Sequence, residues 1–188
     1  MAVDFAYKLR DRAGEGWAIR NVKLRMSRKL VYVAGLLVCY RCHIDAWAEQ
    51  RGKLFEDANA KQEVISRLQK VFSMTPLENV AEILLRYGHL RQSAIKIFDS
   101  YNEFVGILSD ENKRLHLEKL AEQGGDSDEL YRSARTLSHV FREGLLELFF
   151  DPNSEMDTLT KNYGVFLCGQ LAFQLGRSLI PTSVERLR

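Results

Sequence analysis

Apolar residues recur at steps of three and four from Ile19 to Leu148, and this spacing constrains the fold more than any other feature. Steps of that size place side chains on one face of a helix, whereas a half-buried strand alternates at every second position. Ile19, Val22, Met26, Leu30, Val33, Leu37 and Tyr40 form the clearest stripe and predict one long helix from about Gly16 to Asp45. Its second half, Leu30 to Tyr40, is apolar on nearly every face, as in a helix passing through the middle of a bundle. The prolines, Pro76, Pro152 and Pro181, fall outside the periodic segments. The expected fold is therefore all-α, a single-domain multi-helix bundle built around a long N-terminal central helix.

The remaining helices follow from the same rule. Phe55, Ala58, Ile65, Leu68 and Phe72 predict a second helix ending near Ser73. Thr75, Pro76 and Glu78 supply a capping hydroxyl, a proline suited to the first turn and a carboxylate that reaches back to the cap amide, so a third helix starts there and runs towards Gly88. A fourth begins near Arg91, with Ala94, Ile97, Phe98, Tyr101, Phe104, Val105 and Leu108 on its inner stripe. A cap or turn at 109–112 precedes a short helix through Leu115 and Leu120. Leu130, Ala134, Leu137, Phe141, Leu145 and Leu148 mark the next helix, which Asp151 and Pro152 close. Ser154 and Asp157 resemble another capping box, opening a helix through Phe173 in which Gly164 and Gly169 permit close packing or a kink.

A chain of 188 residues suffices for one core, so residues 1–188 are read as a single domain, with 123–127 as the best internal linker. The longest apolar run is about half of the ~20 residues that a membrane-spanning helix needs, so no membrane segment is expected. The opening residues lack the basic and apolar regions of a secretory signal, and the three cysteines are too few for a disulfide scaffold; the expected compartment is the cytoplasm. A net charge of +2 excludes a uniformly basic protein and makes any contact with polyanions local.

One such locality is the opening segment. Arg20, Lys23, Arg25, Arg28 and Lys29 lie opposite or beside the Ile19, Val22 and Met26 stripe, and Lys8, Arg10 and Arg12 precede them. This face is the candidate surface for nucleic acid or an acidic protein partner. The alternative is a solvated helix face neutralised by carboxylates elsewhere in the bundle. Self-association as a symmetric homodimer is a further expectation for a bundle with this many apolar stripes.

Two other patterns carry chemistry. Cys39, Cys42 and His43 have the spacing of a c-type haem attachment sequence, and Cys168 is the remaining thiol for a zinc site. Cys39 and Cys42 fall in the most apolar part of the first helix, however, and serve there as small buried hydrophobes; neither a cofactor nor a metal is expected. On the helix after the double glycine, Arg132, Arg135, His139 and Arg142 share the face opposite Leu130, Ala134, Leu137 and Phe141. Arg132 and His139, with six residues between them, resemble the Arg and His pair of HEPN-type helical ribonucleases. The resemblance is confined to this pair: the chain lacks the polar residue that usually follows that family's Arg with its own hydrogen-bonding role, for which Ser133 is only a weak substitute. It implies metal-independent RNA cleavage by a dimer, with Arg132 stabilising the phosphorane and His139 moving the proton of a ribose hydroxyl. No phosphate-binding glycine loop or serine nucleophile elbow occurs. The leading expectation is a non-enzymatic helical binding or assembly module, with the ribonuclease as the alternative.

Overall fold

The computed structural model describes residues 16–44 and 58–163. Their regular structure is entirely helical, as the periodicity requires, and contains no strand among the described residues. The elements are α1 (Trp17–Lys23), a π-helical turn (Leu24–Arg28), α2 (Lys29–Ile44), α3 (Ala58–Ser73), α4 (Pro76–Leu84), a 3-10 turn (Gly88–Leu90), α5 (Arg91–Ser109), α6 (Glu111–Lys119), α7 (Glu122–Gly125), α8 (Glu129–Phe149) and α9 (Glu155–Tyr163). No helix among the described residues is long and apolar enough to cross a membrane. The chain divides into two compact units, residues 1–29 with 92–145 and residues 30–91 with 146–188.

In the first unit, Ala18, Ile19, Val22 and Met26 are buried, as are Ile97, Phe104 and Ile107 of α5, Leu117 of α6, and Tyr131, Ala134, Phe141 and Leu145 of α8. The Tyr101 ring lies 5.7 Å from Phe104 and 5.9 Å from Phe141, so α5 and α8 share an aromatic core. The start of α1 is tied to the end of α6: the Gly16 amide donates to the Glu118 carbonyl at 2.8 Å and Ala18 to Leu120 at 3.4 Å. These bonds satisfy amides that a helix N-terminus otherwise leaves without partners. Gly16 has φ +72°, a left-handed conformation that glycine adopts without steric cost. Gly125 comes so close to the Trp17 and Tyr131 rings that a Cβ there would lie 2.8 Å from Trp17.

The second unit buries Leu30, Val33, Leu37 and Tyr40 of α2, Val80, Ile83 and Leu84 of α4, and Leu148, Phe149, Met156 and Leu159. Thr75 caps α4 as the sequence predicts: its hydroxyl accepts from the Glu78 amide at 3.2 Å, and the Glu78 carboxylate accepts from the Thr75 amide at 2.6 Å. Buried Arg41 pairs with Glu82, and His89 Nε2 lies 2.5 Å from Asp151 Oδ2.

The seven-residue stripe of the first helix, Ile19 to Tyr40, is buried at every position. Two other stripes differ from expectation. In α3 the shielded positions are Val64, Leu68 and Val71, while Phe72 is 72% exposed and Ile65 also faces outward. Two apolar stripes overlap on this helix one residue apart, and the packed one is not the one with the aromatic. In α5 the buried positions include Ser93 and Ser100, and Val105 is exposed. At Ser93 α8 approaches closely, since a Cβ at Gly144 would lie 2.8 Å from the Ser93 carbonyl oxygen. Ser154 does not complete a capping box; its hydroxyl donates to the Asp151 carbonyl at 3.2 Å. Residues beyond Tyr163, including Gly164, Gly169 and Phe173, lie outside the described residues, as do Lys8, Arg10 and Arg12.

Candidate anion-binding site

The opening helix departs from regular geometry where its basic residues lie. A π turn at Leu24–Arg28 carries Arg25 and Arg28, with Arg20 and Lys23 just before it and Lys29 just after. A π turn is wider than an α turn and re-aims the side chains it carries, and such turns concentrate at functional positions. Lys23 and Arg28 are exposed, whereas Arg20 and Arg25 are half-buried. Arg20 Nη1 is buried without a hydrogen-bond partner. Arg25 Nε donates to Asn21 Oδ1 at 2.7 Å, and the Tyr131 hydroxyl donates to the same oxygen at 3.0 Å. Asn21 is neutral, so this network orients Arg25 and leaves its charge uncompensated.

Lys29 leaves the exposed face that the sequence assigns to it: it is only 6% exposed. Burial, followed by the charges of Arg142 and Arg25, pushes its pKa down to about 8. Lys29 has no hydrogen bond or ion pair among the described residues.

α8 supplies the second half of the site. Asp128 caps it by accepting from the Tyr131 amide at 2.8 Å, which sets the register of the basic stripe that follows. Arg132 and Arg135 are exposed, and His139 and Arg142 are half-buried. Arg135 Nη1 lies 3.2 Å from Asp126 Oδ1, while Arg142 Nε is buried with no partner. Burial holds the His139 pKa below its ordinary value, and Arg142, Arg25, Arg135 and Lys29 add to the effect in that order. The two basic segments that the sequence presents separately therefore converge within the first unit. Asp126 is the one carboxylate paired with this group among the described residues.

Arg132 is not among the charges acting on His139. Seven helical positions separate the two residues, about 10 Å of axial rise, so they share a face without forming a close pair. No carboxylate hydrogen-bonds His139 among the described residues. Such a cluster can attract, orient and partly desolvate an oxyanion, and it includes an imidazole, His139, and an amine with a depressed pKa, Lys29. Asn21 and Tyr131, which position Arg25, escape sequence reasoning; the four-residue step from Asn21 to Arg25 was the available signal.

The cysteine and histidine sequence has a different outcome. Cys39 is an exposed free thiol, not a buried hydrophobe. The side chains of Cys42 and His43, and the whole of Cys168, lie outside the described residues. No cluster of three metal-ligating side chains occurs among the described residues. Comparison of the chain with family models, with curated proteins and with solved structures finds no match.

Proposed function

We propose that the first unit is a non-enzymatic nucleic-acid-binding module. Arg20, Lys23, Arg25 and Arg28 of the opening segment neutralise backbone phosphates, and Arg135 and Arg142 of α8 extend the same surface. The observation that carries this reading is that Arg25, Arg142, Arg135 and Lys29 all act on His139, while of these cations only Arg135 pairs with a carboxylate, Asp126, among the described residues. Gathering like charges in a partly buried place costs folding free energy, and a bound polyanion is what offsets that cost. Arginine outnumbers lysine here, and its planar fork fits phosphate oxygens in pairs. Phosphates are thus the contacts, and recognition is tolerant of base sequence. The proposed setting is the cytoplasm, and light scattering of the complex separates one chain from a homodimer.

Titration of the full chain with RNA, with DNA and with a neutral polymer over a range of salt tests the reading. Affinity for the nucleic acids should fall steeply with salt, by about one logarithmic step per phosphate contacted. Lys23→Glu with Arg28→Glu should remove most of it. A flat salt response, or equal binding of an acidic protein chain, rejects nucleic acid as the partner.

A second reading, a metal-independent ribonuclease working as a dimer through Arg132 and His139, draws on one observation. Burial and neighbouring cations keep the His139 ring neutral near neutrality, ready to accept a proton. RNA cleavage that Arg132→Ala and His139→Ala each abolish establishes it, and intact RNA after incubation with the unmodified chain removes it.

A further inference from the structure

We infer that the groove between α5 and α8 binds a small zwitterion with an apolar body, of the size of an aromatic amino acid, with Glu103 at its ammonium end and Lys113 at its carboxylate end. The groove lies within the first unit, on another face of α8 from Arg135, His139 and Arg142, and does not depend on the nucleic-acid reading.

The groove encloses a cavity of about 390 Å³, near the lower end of the range of about 300–1,000 Å³ in which proteins hold small ligands. That volume suits a small molecule and is too small for a helix. Its floor is apolar: Ile107 of α5 is buried, and Leu130 and Leu137 of α8 are half-buried. Gly106 keeps the space open. A Cβ at position 106 would meet nothing within 4 Å, whereas Gly125 and Gly144 each have another element packed where a side chain would stand. The Gly106 backbone is not left-handed either, so neither conformation nor packing calls for glycine there. Inside a helix only proline is less favourable, and a binding space accounts for a glycine that the fold itself does not need.

The polar side chains around the same space select the ligand. Glu103 is exposed and has no hydrogen bond or ion pair among the described residues. The Ser133 hydroxyl is likewise unengaged, although Ser100, Thr136 and Ser138 all donate to carbonyls of their own helices. The Lys113 amine has a single long contact, 3.7 Å to Asp110 Oδ2. A ligand with one charge is attracted to Glu103 or to Lys113 and repelled by the other. A ligand that carries both charges on an apolar body satisfies each of them, lays that body on Ile107, Leu130 and Leu137, and offers its carboxylate to the Ser133 hydroxyl as a hydrogen-bond acceptor.

The test uses the full chain and probes of similar shape: L-phenylalanine, the cation phenethylamine and the anion hydrocinnamate. Binding is read from the NMR signals of the Gly106 and Ser133 amides. Phenylalanine should bind with a Kd of about 1 mM or below, and each singly charged probe about fivefold more weakly, the scale of a solvent-exposed ion pair. Glu103→Gln should bring phenylalanine to the level of hydrocinnamate, and Lys113→Met should bring it to that of phenethylamine. The α6 cap survives the second change, because Asp110 accepts from the Lys113 backbone amide. Gly106→Leu should fill the space and abolish binding of every probe without lowering the Tm, since leucine is the better helix former and its Cβ meets no neighbour. Signals that do not move with phenylalanine overturn the site. So does equal binding of phenylalanine and the singly charged probes by the unmodified chain, or phenylalanine binding that survives Gly106→Leu.

Discussion

Arg142 is the foremost of the neighbouring charges that depress the pKa of Lys29, and neither residue is paired with a carboxylate among the described residues. The fall of the Lys29 pKa from 10.5 to about 8 corresponds to about 3 kcal/mol of lost folding free energy at neutral pH. An unfolded chain keeps the Lys29 proton up to its higher pKa, so this cost is fully present below about pH 8 and disappears as pH rises to 10.5. Lys29→Met keeps most of the volume and removes the charge. The variant should be more stable than the parent at pH 7, by up to about 3 kcal/mol, with the advantage shrinking across that window. Chemical denaturation at several pH values measures the difference between the two proteins and cancels groups common to both. A variant that gains stability while losing anion affinity has the behaviour of a site held against folding preference.

His139 reports on the same charges from the other side. Its folded pKa lies below the ordinary value of 6.5, chiefly through burial and then through Arg142. As pH falls through 6.5 the unfolded chain takes up this proton first, so stability declines on the acid side until the folded ring is protonated as well. The NMR titration of the His139 ring should therefore have its midpoint below 6.5, and Arg142→Gln should move it upward. A midpoint that is the same in parent and variant would place Arg142 too far away to act, and would remove it from the site.

Gly144 on α8 and Ser93 on α5 define how closely those helices pack. A Cβ at position 144 would lie 2.8 Å from the Ser93 carbonyl oxygen, 2.8 Å from Ile97 Cγ1 and 3.1 Å from Lys96 Cβ. The backbone oxygen cannot rotate away, so Gly144→Ala must push the helices apart despite the better helix propensity of alanine. A loss of about 1–3 kcal/mol is expected in thermal or denaturant unfolding. An unchanged or raised stability would mean that the two helices adjust freely at this crossing.

How much of this was legible in the sequence depends on the competing patterns at each element. The stripe from Ile19 to Tyr40 has no rival, and all seven of its residues are buried. In α3, Val64, Ile65, Leu68, Val71 and Phe72 support two adjacent faces, and only tertiary packing chooses between them. In α5, Ser93 is buried where another helix comes close, and Ser100 is buried with its hydroxyl donating to carbonyls of its own helix, neither of which polarity alone reveals. The two basic segments were visible as charge patterns, but their convergence joins residues more than a hundred positions apart, and no local rule anticipates it. The burial of Lys29 is hidden for a related reason: it lies beside the Ile19, Val22 and Met26 stripe, and spacing alone does not say how far the packed neighbours reach round that flank.

Asp128 couples the start of α8 to its basic stripe, and two substitutions separate its roles. Its Oδ1 accepts from the Tyr131 amide at 2.8 Å, and its Oδ2 lies 2.5 Å from His116 Nε2. Burial alone would raise the pKa of this carboxyl, but the Tyr131 amide and His116 together outweigh it, and the group sits below its ordinary value of 3.8. Its stabilising effect is thus present above that value and fades as pH falls through the folded pKa. Asparagine caps a helix as well as aspartate does but cannot pair as an anion with His116, so Asp128→Asn should retain most of the stability. Asp128→Ala should lose about 1 kcal/mol. Tyr131 follows this cap by one turn and holds Asn21, which in turn holds Arg25, so fraying of α8 reaches the anion site through a chain of named contacts. Asp128→Ala should therefore also weaken nucleic-acid binding, whereas Asp128→Asn should leave it close to that of the parent. If both variants bind equally well while only the alanine protein is less stable, the cap serves folding alone and Arg25 is positioned by other means.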